Sequence, residues 1–261
     1  MCRPSAFALL VVLVGCGSGT TAPPLEICPV TTGSPSTLPP SIHPPFSALV
    51  FSRTTGFRHA SIPAGIAAVE VLGAYHAFSV EATEDPAAFS DSNLAQFAVV
   101  IFLNTTGDVL DSLQQGAFER YIRAGHGFVG VHSASDTEYG WPWYHALVGA
   151  TFKSHPAIQP ATVTVLDTAH ASTRFLPNPW LRTDEWYNFT APPVGVSLLA
   201  QVEESSYTGG TMGSTHPISW YHAYDGGRAW YTAMGHTACS YAERAFLDHL
   251  AGGIEWAAGV P

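Results

Sequence analysis

Gly125-His-Gly-Phe-Val-Gly-Val-His-Ser-Ala-Ser-Asp-Thr-Glu-Tyr-Gly-Trp-Pro-Trp-Tyr144 starts as a strand and ends as a polar, aromatic turn. Phe128 to Val131 is an unbroken apolar run, the pattern of a strand covered on both faces of a parallel sheet. His132, Ser133, Ser135, Asp136, Tyr139, Trp141, Trp143 and Tyr144 follow at once. A strand that ends in such a turn is where an α/β sheet offers chemistry to a ligand.

Upstream, Ser47 to Ser52 reads as a buried strand. Ser61 caps a helix that runs through Ile66, Val69, Val71 and Leu72 to Tyr75. Phe78 to Ala82 reads as a second strand, Leu94 to Phe97 as the end of a short helix or turn, and Ala98 to Leu103 as a third strand. Asp111 to Ala124 carries Leu113, Ala117, Phe118, Tyr121 and Ile122 at helical spacing, with Gly125 as C-cap. This alternation predicts a doubly wound α/β sheet with right-handed crossovers. Downstream the pattern is less regular. Trp141 to Val148 reads as a helix. Thr162 to Leu166, Trp186 to Phe189, Ser197 to Val202, Ile218 to His222 and Ala229 to Ala233 read as strands. Asp225-Gly226-Gly227 is a hairpin turn signal, and Tyr241 to Ala257 closes the chain as a helix.

The N-terminus reads as a targeting segment. Arg3 precedes a short apolar run, Ala6 to Val14, too short to span a bilayer. Leu13-Val14-Gly15-Cys16 resembles a bacterial lipobox, so residues 1–16 are expected to be a signal peptide that leaves Cys16 carrying lipid. Residues 17–45, rich in Pro, Thr and Ser, read as a tether, and the domain as residues 46–261. The expected location is therefore the cell envelope, lipid-anchored on its periplasmic or extracellular face. Of the remaining cysteines, Cys28 and Cys239 are permitted a disulfide in that oxidising compartment, or stand as two free thiols. Neither is placed as a nucleophile. Ten Lys and Arg against twenty Asp and Glu give a net charge of −10, which argues against nucleic acid as partner.

Three loops are expected to converge at the carboxyl edge of the sheet: Arg53 to His59, Asn104 to Gly107, and His132 to Tyr144. Arg58 offers hydrogen bonds to a carboxylate, phosphate or sugar hydroxyl, and the run from Asn104 to Gly107 either meets sugar hydroxyls or is only a polar turn. His132 reads as a general base, a metal ligand or a satisfied histidine at a sheet end. Ser133 is a weaker nucleophile candidate without an evident triad. Asp136 either orients His132 or binds hydroxyls, and Tyr139, Trp141, Trp143, Tyr144 and Tyr187 offer aromatic surface. Asp184-Glu185-Trp186-Tyr187 sets two carboxylates at an expected strand start, Glu185 serving as acid, base or ligand. The chain holds twelve histidines. None is paired at the spacing of a zinc helix or knuckle, yet the dispersed set His59, His132, Glu185 and His236 can assemble a site for a divalent ion such as zinc.

Together and in this order, six runs resemble the ThuA-like family, named for trehalose utilisation. They are Gly56-Phe-Arg-His59, Gly127 to Thr137, Trp141-Pro-Trp-Tyr144, Asp184-Glu-Trp-Tyr187, His216-Pro-Ile-Ser-Trp-Tyr221 and Gly235-His-Thr237. The resemblance implies a flavodoxin-like, class I glutamine amidotransferase-like three-layer sandwich with a mostly parallel central sheet. It does not imply amidotransferase activity, because His132 stands where those enzymes carry the cysteine nucleophile. It implies sugar catabolism, in particular cleavage or isomerisation of 3-keto-glycosides made by a partner sugar dehydrogenase. The residues expected to act are His132, Glu185, Asp136, His59 and His236. Two other readings stay open: a carbohydrate-binding lipoprotein without catalysis, and a serine hydrolase using Ser133.

Overall fold

Strands β3 (Val99–Leu103) and β4 (Gly127–Val131) are buried along their whole length, as their unbroken apolar runs require. They sit inside the protein described by a computed structural model, which covers Cys28 and residues 43–260. The expected signal peptide with Cys16, and the tether apart from Cys28 and residues 43–45, lie outside the described residues.

In chain order the preceding elements are β1 (Phe46–Phe51), α1 (Ile62–His76), β2 (Phe78–Thr83) and α2 (Asp91–Leu94). Helix α3 (Ser112–Arg123) joins β3 to β4, and α4 (Pro142–Val148) follows the turn after β4. The second half holds β5 (Phe152–Ser154), β6 (Gln159–Val165), β7 (Trp180–Asp184), β8 (Asn188–Phe189) and β9 (Ser197–Val202). Strands β10 (Pro217–Tyr224) and β11 (Gly227–Thr232) form the expected hairpin, and α5 (Arg244–Ala258) ends the chain.

Among the described residues nine strands form one sheet in the order β2-β1-β3-β4-β11-β10-β9-β6-β7, and β5 pairs with β8. From β2 to β11 every pairing is parallel; from β11 to β7 every pairing is antiparallel. The fold is thus an α/β sandwich of the flavodoxin-like type with a parallel centre and an antiparallel extension. The winding direction reverses between β1 and β3, which opens a crevice at the carboxyl ends of those strands. Alternation along the antiparallel strands returns β7 to the direction of β11, so its carboxyl end reaches the same edge of the sheet.

Helix α3 starts where the sequence predicts. Asp111 accepts from the backbone N–H groups of Leu113 and Gln114, and Gln114 answers with a bond from the Asp111 N–H, a complete capping box. Ser61 does precede α1, but its hydroxyl makes no capping bond; it accepts from the Asn104 side-chain amide instead. Helix α5 lies close on the sheet because Gly127 and Gly253 have no side chain. A Cβ on Gly127 would stand 2.2 Å from the Ala257 carbonyl oxygen. On the other face, Phe118 of α3 and Tyr144 of α4 pack with Phe102 and Phe128.

Three readings need correction. Strands β5 and β7 were not expected, and the strand read at Trp186 to Phe189 shrinks to β8. β5 has too few residues for a period to register. In β7 the inward positions include Arg182 and Asp184, a buried ion pair at 3.0 Å, so polar letters hide a core strand. Asp184 and Glu185 therefore lie at the carboxyl end of a strand, not at a strand start. Cys28 and Cys239 form a disulfide, with Cα atoms 4.8 Å apart, which ties the N-terminal segment to the turn before α5. Among the described residues no helix is long and apolar enough to cross a membrane.

Candidate metal and substrate site

The loops after β1, β3 and β4 are laced together by backbone. Thr55 and Gly56 donate to the Thr106 carbonyl at 2.9 and 3.4 Å, Gly107 donates to the Asp136 carbonyl, and Glu138 donates to the Gly107 carbonyl. Gly107, at φ +72°, permits this closeness, since a Cβ there would stand 2.3 Å from Thr55 Oγ1. The buried Glu138 carboxylate accepts from the N–H groups of Val109 and Leu110 at 2.8 and 2.7 Å, fixing the same cluster.

His132 begins the turn after β4 with φ +50°, a left-handed conformation uncommon for a residue with a side chain. It has the geometry of an elbow that throws its side chain over the sheet edge. The Tyr231 hydroxyl donates to the His132 carbonyl at 2.7 Å, and His132 Nδ1 donates to the Ala233 carbonyl at 2.7 Å. That bond fixes the tautomer and leaves Nε2 as a lone pair, the outer hydrogen bond that metal-bound imidazoles make.

Around this Nε2 converge groups from three other strand ends. His236, after β11, places Nδ1 3.1 Å from it, and Glu185, after β7, places Oε2 3.5 Å from it. His236 Nδ1 lies 3.0 Å from Glu185 Oε2. His59, after β1, sets its ring edge-on to His132 and His236, at 4.8 and 5.0 Å between centroids. One donor atom from each of His59, His132, Glu185 and His236 falls within a common 4.8 Å. Three imidazole nitrogens and one carboxylate oxygen, at least one imidazole held by an outer hydrogen bond, fit the donor set of a zinc-type divalent ion.

The electrostatics agree with that donor set. Burial, aided by the neighbouring His132 and His236, lowers the His59 pKa to about 2, so the ring is neutral at pH 7. Burial pushes Glu185 up, but the adjoining His132 and His236 rings outweigh it and hold the carboxyl at about 2, an anion.

Asp184 positions two of the four. Its buried carboxylate accepts from the backbone N–H groups of Gly235 and His236 at 2.9 and 3.1 Å, and from that of Glu185 at 2.9 Å. Arg182, stacked between Trp180 and Phe246, supplies the balancing charge.

A cleft of about 200 Å³ lies over this cluster. His59, Glu185 and His236 line it together with Asp136 and His155; Phe57, Phe152 and Tyr187 supply its apolar wall. Burial raises the pKa of Asp136, against the hydrogen bond it accepts from the Tyr139 hydroxyl. His155 Nδ1 lies 2.8 Å from Glu185 Oε1, the oxygen turned away from His236.

Of the residues named from sequence, the structure brings His59, Asp136, His132, Glu185, His236 and Tyr187 to one place. The others it puts elsewhere. Arg58 turns outward to a two-point ion pair with Glu84, at 2.6 and 3.0 Å. Asn104 is buried, donating to Ser61 and the Gly235 carbonyl and accepting from Tyr241. Ser133 is wholly buried, its hydroxyl 3.4 Å from His59 Nδ1, so it faces no solvent as a nucleophile must. Trp141 and Trp143 stack on each other, and Trp141 on Tyr144, within the helical layer rather than along the cleft. Tyr139 reaches the site only through Asp136. Phe57 and Phe152 were not singled out in the sequence, and His155 counted there only as one of the twelve histidines. Phe57 sat inside a run already noted for its charged neighbours; Phe152 begins, and His155 follows, a strand too short to detect.

The family model described as "ThuA: Trehalose utilisation" matches residues 47–257. A putative ThuA-like protein from Bacteroides uniformis superposes with a TM-score of 0.69 at 23% identity, covering 86% of this chain and 95% of that one. One from Parabacteroides merdae gives 0.68 at 18% identity, covering 83% and 91%. Part of a β-galactosidase from Halorubrum lacusprofundi gives 0.51 at 18% identity, covering 85% of this chain and 31% of that one. These likenesses establish the fold. No curated protein shows a significant match to the chain.

Proposed function

The chain belongs to the ThuA family, whose context is carbohydrate utilisation, and on that premise we propose that the cleft is the active site of an enzyme that cleaves an oxidised, 3-keto glycoside. The observation that carries this reading is the convergence of His59, His132, Glu185 and His236 within 4.8 Å under a cleft that also presents Asp136.

A keto group at C3 acidifies the C2–H bond, so the reaction needs a base, a home for negative charge on the keto oxygen, and an acid for the leaving group. Asp136 is the base: burial raises its proton affinity toward the working range of a general base. It takes the C2 proton, and the C–H electron pair passes into the enolate. The C1–O bond then breaks with its electron pair on the glycosidic oxygen. Asp136 returns the proton to that oxygen, leaving an unsaturated 3-keto sugar and an alcohol. His59, His132, His236 and Glu185 would hold a divalent metal, which when bound supplies Lewis-acid charge at the keto oxygen. Glu185, kept ionised by its histidines, serves as ligand and not as acid.

The apolar run from Ala6 to Val14, followed at once by Gly15 and Cys16, supports lipid attachment, which would put the enzyme at the cell envelope. An oxidoreductase that introduces the 3-keto group is the partner this substrate requires. A turnover assay on 3-keto-disaccharides, with and without chelator, tests the reading. Turnover that chelation removes and zinc restores is expected. Binding without turnover would make the protein a carbohydrate binder, and full turnover after chelation would remove the metal from the scheme.

A further inference from the structure

We propose that the cleft takes a single sugar ring, at the end of a glycoside, and that Phe57 selects for what is attached to that ring. The inference rests on the carbohydrate reading above and deepens it. At about 200 Å³ the cleft is smaller than the roughly 300–1,000 Å³ of pockets that enclose drug-sized ligands. It therefore has room for one ring over the polar floor. Whatever C1 of that ring carries must leave through the mouth.

Phe57 stands at that mouth, and it is 67% exposed. Among the described residues it is one of several large apolar side chains left exposed, and the one of them that lines the cleft. Its backbone, however, is pinned. Thr55 and Gly56 donate to the Thr106 carbonyl, and the Phe57 carbonyl accepts from Thr106 Oγ1 at 2.8 Å. Its ring stands edge-on to His59, 4.9 Å between centroids at 85°. An exposed aromatic face on a loop already fixed beside a cluster of metal donors costs little further ordering when a ligand lands on it. Phe152, whose ring lies 4.4 Å from that of Tyr187, is part of the same apolar wall. The carbon-bound hydrogens of a second sugar ring, projecting from the first, meet the Phe57 face. A residue in the middle of a chain, substituted on both sides, does not enter.

The test compares methyl 3-keto-glucoside with a 3-keto-disaccharide, for the wild type, Phe57→Ala and Phe57→Trp, each checked for native fold by circular dichroism. The wild type is expected to favour the disaccharide in kcat/KM. Phe57→Ala should reduce that preference about tenfold, and Phe57→Trp should restore it. An unchanged preference in Phe57→Ala overturns the proposal. So does wild-type turnover of a trisaccharide oxidised on its central ring at the rate of the disaccharide. If the wild type neither binds nor turns over any of these sugars, the carbohydrate reading falls, and this inference with it.

Discussion

His132 joins a left-handed backbone, a carbonyl bonded to Tyr231 and an Nδ1 bonded to Ala233, and each of these aims Nε2 at the cluster. Replacing it with alanine should remove a ligand and the elbow together, abolishing turnover and weakening metal binding. Asp136→Asn is the sharper variant, because Asp136 lies outside the donor set. Its turnover should fall about 10²–10⁴-fold with zinc affinity unchanged, which metal titration and steady-state kinetics on the same preparation would show. Equal loss of both would mean that Asp136 supports the metal. The histidines were legible in the sequence because each follows a segment read as ending at the sheet edge; Glu185 stood out only as a carboxylate at an expected strand start, which proved to be the end of β7. The tryptophans misled because an aromatic letter does not say which side of a turn it faces. Trp141 finds its hydrogen bond in Glu119 and Trp143 in Asp225, away from the cleft.

Helix α5 shows what element packing demands. Gly253 faces the indole of Trp230 in β11, and a Cβ there would stand 2.5 to 2.8 Å from three ring atoms. Gly253→Ala should destabilise the protein by about 1–3 kcal/mol or more, read from urea unfolding. A neutral effect would mean that α5 can move off the sheet. The parallel strands were legible because both faces are covered and their runs are unbroken. The antiparallel extension was less so. Strand β7 buries Arg182 and Asp184 by pairing them, and no apolar period marks it. That pair also fixes the Gly235 and His236 backbone, so the strand hardest to read carries a large share of the site.

At the scale of the whole molecule, stability should fall in acid through a group that does not line the cleft. His249 is fully buried in α5, with Nδ1 2.8 Å from the Ser172 carbonyl oxygen and Nε2 3.1 Å from Ser219 Oγ. Burial lowers its pKa from 6.5 to about 3. The unfolded chain thus binds a proton that the native state refuses until about pH 3. The destabilisation is absent above pH 6.5, grows as pH falls, and levels off below about pH 3, reaching at most a few kcal/mol. His249→Gln should flatten the pH dependence of urea stability across that window, and an unchanged slope would refute the assignment. The central claim concerns four strand ends brought to one ion. Its most direct test is zinc titration of chelator-treated protein. The account predicts one ion bound per chain, with affinity at least tenfold weaker in both His132→Ala and Glu185→Gln. No binding by the wild type, or undiminished binding by both variants, would contradict it.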